Sequence, residues 1–225
     1  MYTLKLIETP ELEVETTDSG RFYTTPEGNV YPSVTTVLGS FEKEYLQKWI
    51  KRVGQKEADR VRDQAGRKGT AVHRMIERML LGEENLFKGE MPVNIAHFKT
   101  IRKGLDGRLT DVYAMENSLW SDRLKVAGRV DCIGAYDNKL SIIDFKTSNK
   151  LKDITRIGDY FIQTTMYSMM WEEITGMKVD QLVIVMVVND EPEPFIFIQD
   201  RSDWLMLTAK KMFDYHKKMV ASSSI

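Results

Sequence analysis

The residues best suited to chemistry lie in VAGRVDCIGAYDNKLSIIDFK, residues 126–146. Two runs rich in Val, Ile, Ala and Tyr flank Asp137-Asn138, a pair that tolerates the positive φ angles of a tight two-residue turn. The pattern predicts a β-hairpin in which Tyr136 pairs with Lys139. Asp131 then falls opposite Asp144, and Lys146 follows on the same face as Asp144, because strand side chains repeat every second residue. Carboxylates facing each other destabilise a ladder, and a divalent cation between them reverses that sign. The hairpin therefore reads as a seat for a metal with an ammonium beside it. The competing reading is an edge strand whose Asp and Lys only discourage aggregation.

The elements that must position this hairpin follow from spacing and punctuation. Residues 1–20 are acidic and predict a strand and a loop, and residues 21–30 a short hairpin turning at Pro26-Glu27-Gly28-Asn29. Ser33 is a candidate N-cap for a short helix, and Ser33, Thr35 and Thr36 offer hydroxyls to cap it or to reach a phosphate. Apolar spacing predicts helices over 41–54 and 55–66, then a separate helix opened by Gly69-Thr70-Ala71-Val72-His73 and stopped at Gly82. His73 shares a face with Glu77, four residues on. A further helix covers 94–105. Strand 112–120 carries Glu116, as a rim carboxylate or a site residue. After Lys146 a polar loop leads to a helix over 154–175, ended by Gly176, on which Tyr160, Gln163 and Tyr167 form one stripe. A buried Gln163 needs a polar partner. Apolar strands follow over 181–189 and 194–199, then a terminal helix over 202–220 and a frayed end.

Composition excludes several classes. The apolar run 182–188 is too short to cross a bilayer but suits a buried strand. The single cysteine, Cys132, excludes an internal disulfide and a Cys-ligated zinc or iron–sulfur centre. The first residues lack the apolar core of a signal peptide and the Arg-rich character of a transit peptide. Net charge is −1, yet between Lys43 and Arg78 there are 11 Lys/Arg against 5 Asp/Glu. That stretch is a candidate phosphate-binding face, or a solvated helix surface. The absence of GxxxxGK[ST] and GxGxxG disfavours a kinase or a dehydrogenase.

Five motifs in order carry a resemblance that spans roughly residues 20–190. They are Gly69-Thr70-Ala71-Val72-His73 on a helix, Gly128-Arg129-Val130-Asp131 on a strand, Ile143-Asp144-Phe145-Lys146-Thr147 on the next, Gln163-Thr164-Thr165-Met166-Tyr167 on a helix, and Glu116 on the strand before them. This order resembles the PD-(D/E)xK nuclease superfamily, and within it the RecB-type exonucleases. Phe22-Tyr23-Thr24 and Pro32-Ser33-Val34-Thr35 are similar to the mitochondrial genome maintenance exonuclease group and its phage relatives. The superfamily's Pro before the first Asp is absent, with Val130 in its place.

The resemblance implies an α/β fold with a restriction-endonuclease-like core: a central mixed sheet of αβββαβ topology flanked by helices. It implies one nuclease domain over 1–225, with residues 1–105 as an N-terminal hairpin and helical DNA-clamping lobe and 106–225 as the catalytic core. The implied activity is a metal-dependent DNA exonuclease acting on single-stranded DNA with a free end in replication, recombination or repair. The cofactor would be one or two Mg²⁺ or Mn²⁺ ions, with no iron–sulfur cluster. His73, Asp131, Asp144 and the Phe145 carbonyl would hold metal. Lys146 would orient or deprotonate the attacking water or neutralise developing charge, Glu116 would serve a second ion or act through a water, and Gln163 and Tyr167 would position Lys146 or the phosphate. Ser33, Thr35, Arg67, Lys68, Arg129 and Thr147 are candidate DNA contacts. By the hairpin register Arg129 also faces Lys146. A monomer working in a bacterial or phage-infected cytoplasm, alone or with replication proteins, is the expectation. A structure-selective endonuclease and a non-catalytic DNA-binding module are the alternatives.

Overall fold

The two-residue turn forms as its residue types dictate. Asp137 and Asn138 both take positive φ, 49° and 64°, and the ladder pairs Tyr136 with Lys139 back to Cys132 with Ile143. Such a turn matches the right-handed twist of the strands it joins. Arg108 locks it from outside, its Nε donating to the Asp137 carboxylate at 3.0 Å.

This hairpin, β6 (Val126–Tyr136) and β7 (Lys139–Ser148), is the centre of a six-stranded sheet in a computed structural model that describes residues 2–41, 44–151 and 157–222. β5 (Leu109–Ser121) lies antiparallel on one side of it, and β1 (Thr3–Leu4) lies parallel to β5 at the edge. On the other side β8 (Gln181–Val188) runs parallel to β7, and β9 (Phe195–Asp200) closes the sheet antiparallel. The parallel step needs a crossover, which α5 (Gly158–Thr175) provides. Gly176 ends that helix at φ 74°, the left-handed cap a glycine adopts without cost. The strand order is the αβββαβ core of the expected α/β class.

Two apolar layers bury the sheet. α3 (Gln55–Leu80) and α4 (Pro92–Leu105) cover one face with Val72, Met75, Ile76, Phe98 and Ile101 against Ile143, Phe145 and Val185. On the other face, α1 (Val34–Gly39), α5 and α6 (Ser202–Ser222) pack Val37, Phe161, Met166, Trp171 and Met212 onto Ile133, Ile142 and Ile184. With both its faces covered, β8 can be apolar throughout, and every residue from Leu182 to Val188 is buried. Among the described residues no helix is long and apolar enough to cross a membrane.

Several expectations are corrected. The predicted break at 66–69 does not occur, because α3 runs unbroken through Gly66 and Gly69. Each glycine costs a helix about 1 kcal/mol, which burial of Val72, Met75, Ile76 and Leu80 on the same rod outweighs. The predicted hairpin over 21–30 is part of a three-stranded sheet, because the acidic segment β2 (Glu13–Thr17) pairs with β3 (Gly20–Thr24), which pairs with β4 (Val30–Pro32). The predicted facing pairs Asp131–Asp144 and Arg129–Lys146 are not formed, since the β6–β7 ladder ends at Cys132–Ile143. Arg129 pairs instead with Ser118 of β5. The helix predicted over 41–54 is α2 (Glu44–Val53), and the predicted starts of this helix and of α5 run into residues 42–43 and 152–156, which lie outside the described residues, as do 223–225.

Candidate functional site

Where the β6–β7 ladder stops, the two strands part and their polar groups find other partners. The Phe145 amide donates to Asp131 Oδ2 at 2.8 Å, so a carboxylate stands in for the missing strand partner. On the far side of the gap, the Phe145 carbonyl accepts from His73 Nε2 at 3.0 Å. A carbonyl cannot donate, so Nε2 carries the proton and the ring is fixed. His73 Nδ1 then faces Glu116 Oε1 at 3.4 Å and Asp131 Oδ1 at 3.5 Å.

Glu116 reaches this point through a distortion. It takes φ 49° in the middle of β5, and the flanking pairs Met115–Cys132 and Asn117–Val130 bracket it opposite Asp131. The neighbouring Met115 amide is satisfied by the Asn117 side chain at 3.0 Å. Positive φ costs an ordinary residue about 1–2 kcal/mol, and such strain gathers at functional sites.

His73, Glu116 and Asp131 thus bring one ligand atom each within 4.8 Å of one another. Burial alone would lower the His73 pKa, but Asp131 and Glu116 reverse that and push it up to about 9. The set of two carboxylates and an imidazole suits a hard or borderline divalent cation.

Asp144 stands outside that cluster and is 1% exposed. The Lys146 ammonium donates to its Oδ1 at 2.8 Å and lies 2.7 Å from Oδ2. The second approach lacks hydrogen-bond geometry, so Oδ2 is buried without a donor. An acceptor in that state fits a cation as a further partner. Burial raises the Asp144 pKa first of all, against the pull of Lys146. For Lys146 burial works downward, and Asp144 and Asp131 together leave its pKa above the ordinary value, so it is an ammonium at neutral pH.

α5 supplies the wall. Lys146 Nζ sits 5.1 Å from the centroid of the Tyr160 ring. Gln163 and Tyr167 are buried, and burial raises the Tyr167 phenol's pKa further than Asp131 and Asp144 do, with the Gln163 side chain pulling it down. The polar neighbour of the buried Gln163 is Tyr167, one helical turn on. Tyr167 packs so close to β6 that a Cβ on Gly128 would stand 2.9 Å from its Cε1.

The remaining candidates divide by distance. Ser33 is buried and capped onto α1, its Oγ accepting from the Thr36 amide at 2.9 Å. Thr35 is exposed and shares a 2.9 Å hydrogen bond with Ser33. Arg129 is exposed and points to Glu11 at 3.4 Å. Thr147 is half-buried, and its Oγ1 lies 3.9 Å from where a Cβ on Gly69 would stand. Arg67 and Lys68 lie on α3 before His73, and Lys68 Nζ donates to Asn189 Oδ1 at 2.7 Å. Glu77, which the sequence places on the His73 face, feels the cluster: its pKa is raised by burial and then by Glu116. Sequence reasoning gave no sign of Asn149 or Asn189, which only the tertiary fold brings to Lys68.

The PD-(D/E)XK nuclease superfamily model matches residues 35–195, and the chain belongs to that superfamily. It is 29% identical over 136 residues to mitochondrial genome maintenance exonuclease 1 of Mus musculus, covering 57% of this chain and 40% of that protein. Against the Homo sapiens protein of the same name it is 30% identical over 152 residues, covering 61% and 40%. The Xenopus tropicalis protein matches at 27% over 133 residues, covering 56% and 38%. The match therefore spans about 40% of the length of these relatives.

Proposed function

We propose that this protein is a divalent-metal-dependent exonuclease that hydrolyses phosphodiester bonds in single-stranded DNA from a free end. The observation that carries the reading is the His73–Glu116–Asp131 cluster beside the buried Asp144–Lys146 pair. The superfamily match and the exonuclease names of the relatives support it.

Asp131, Asp144 and His73 would hold Mg²⁺ or Mn²⁺, with Glu116 completing the set, whereas the Phe145 carbonyl, expected as a ligand, accepts from His73 Nε2 on the edge of the ring away from Glu116 and Asp131. A bound ion supplies Lewis acidity and neutralises charge on the phosphate. The chain's own residues do the rest. The Phe145 amide orients Asp131 and the Phe145 carbonyl orients His73, so one peptide group fixes two site residues. Lys146 would hold the attacking water by hydrogen bonding and stabilise the charge that develops on phosphate oxygens. Asp144 anchors that ammonium. Tyr160, Gln163 and Tyr167 form a rigid wall that keeps it aimed. Thr147, Arg129, Arg67 and Lys68 lie on the elements leading into the site and would contact the strand, whereas Ser33 serves as a helix cap and leaves contact to Thr35.

An oligonucleotide labelled internally, with ends free or blocked by circularisation, tests the reading. Cleavage of the linear strand alone is expected. Equal cleavage of the circle would make the protein an endonuclease, and no cleavage of either with Mg²⁺ or Mn²⁺ present would leave a DNA-binding module.

A further inference from the structure

Beyond the cluster, the fold holds a second concavity that hydrolysis does not require. It is a groove of about 680 Å³ between α3, the start of α4 and the segments that follow β7 and β8. Its polar walls include Gln64, Arg67, Lys68, Asn94, Asn149 and Asn189, and among the described residues no acidic one lines it. Met91 and Val93, 64% and 46% exposed, add apolar surface.

Part of this wall is ordered in advance. Lys68 donates to Asn189 Oδ1 at 2.7 Å, and Asn189 Nδ2 donates to Asn149 Oδ1 at 3.2 Å. Among the described residues the lysine is held through an amide rather than through a carboxylate, which leaves its charge uncompensated at contact distance and two of its three N–H donors for an incoming oxygen. Asp190 acts on Lys68 only through its field. Among the described residues Arg67 makes no ion pair. Arg60, at the far end, is already paired with Glu57 at 2.7 Å.

The groove is connected to the cluster by two rigid elements. α3 carries His73, and at a rise of 1.5 Å per residue Lys68 lies about 8 Å and Gln64 about 14 Å back along its axis. β7 carries Asp144 and Lys146, and Asn149 follows about 10 Å beyond Lys146 at strand spacing. With about 3.4 Å per nucleotide in a stacked strand, the groove begins about two to three nucleotides from the cluster.

The geometry points to a strand-anchoring subsite: the α3–α4 groove takes the unpaired nucleotides next to the scissile phosphate, with Arg67 and Lys68 on phosphates and the asparagine amides on base edges. This rests on the nuclease reading above and specifies where its substrate lies. An unpaired strand is the occupant the chemistry fits. Arg67 and Lys68 offer a backbone two cationic contacts, while amides that both donate and accept, beside apolar Met91 and Val93, serve any exposed base without selecting one. A duplex would turn those base faces inward.

The full-length chain can be tested with oligodeoxythymidines of 3 and 12 nucleotides, for cleavage with Mg²⁺ and for binding by anisotropy in Ca²⁺. The variants are Arg67→Ala/Lys68→Ala and, because Lys68 also joins the fold, the exposed single change Arg67→Glu. Arg62→Glu, on the same helix outside the groove, controls for net charge. The wild type is expected to favour the 12-mer. In the groove variants KM for the 12-mer should rise about tenfold, with a smaller change in kcat and little change on the 3-mer. The salt dependence of log Kd should become shallower by about 0.7 per lost phosphate contact, about 1.4 for the double variant. A wild type indifferent to length, variants that keep its preference and salt slope, variants that lose equally on both lengths, an equal effect of Arg62→Glu, or tighter binding of a 12-base-pair duplex would each overturn the subsite. A wild type that cleaves no DNA at all would overturn the nuclease reading itself.

Discussion

Replacing Gly128 by Ala tests whether Tyr167 is clamped as tightly as the packing requires. A Cβ at this position would meet Tyr167 Cε1 at 2.9 Å, Oη at 3.0 Å and Cζ at 3.3 Å. Carbon atoms in contact prefer about 3.5–4.0 Å, so the intrusion is about half an ångström or more. The ring cannot swing outward, being 3% exposed and packed in the α5 core. Two effects oppose each other. Ala stiffens the unfolded chain, which stabilises by about 0.4–1 kcal/mol, and overpacking a filled core costs about 1–3 kcal/mol. The clash wins, for a net loss of about 1–2 kcal/mol and a fall in Tm of about 2–8 °C. Tyr167 also faces the fields of Asp131 and Asp144, so its displacement should lower kcat together with stability. Thermal melts followed by circular dichroism, run beside cleavage assays on the same samples, measure both. The reasoning also requires that Tyr167→Leu, which frees the space, be non-additive with Gly128→Ala. An unchanged or raised Tm for Gly128→Ala, or additivity of the pair within about 0.5 kcal/mol, would refute it.

Asp144→Asn and Lys146→Ala should each reduce cleavage about a hundred- to a thousandfold, as loss of a principal charge-stabilising group does, while circular dichroism reports a folded chain; near-normal turnover in either would remove the assignment. Asn138→Val forces a β-branched residue to φ 64° and should cost about 1–2 kcal/mol in urea unfolding, whereas Asn138→Gly should cost nothing; equal stabilities would mean the turn is not strained as described. His97 is buried, and burial followed by the Lys68 charge lowers its pKa below the usual value. A folded-state pKa below the unfolded one makes stability complete above about pH 6.5 and progressively lost as pH falls below it. The unfolding free energy of the wild type should therefore drop between pH 7 and pH 5 relative to that of His97→Gln; parallel curves for the two proteins would contradict this.

The turn at Asp137-Asn138, the buried run of β8 and the cap at Gly176 were legible because each is set by a few neighbouring residues. The order of His73, Glu116, Asp131, Asp144 and Lys146 along the elements was legible too, and the structure brings these residues together at one end of the hairpin. The contacts within the site were less so. Register propagates from a turn only while the ladder lasts, and here it ends at Cys132–Ile143, one step before the carboxylates. Beyond that point Asp131 bonds a backbone amide, and Glu116 of a different strand takes the position beside His73 that Asp144 was expected to share. The backbone twist that brings Glu116 there has no local sequence marker. The continuity of α3 was hidden for a related reason: Gly66 and Gly69 look like punctuation, and only packing against the sheet overrides their cost. Asn149 and Asn189 are 40 residues apart, and nothing in either neighbourhood shows that they meet.

The most direct test is cleavage of an end-labelled single strand by protein stripped with EDTA, followed across a titration of free Mg²⁺ or Mn²⁺. The account predicts no product in chelator and saturable recovery with either ion. Undiminished cleavage in the presence of chelator would contradict it, because His73, Glu116 and Asp131 would then be gathered for something other than a cation.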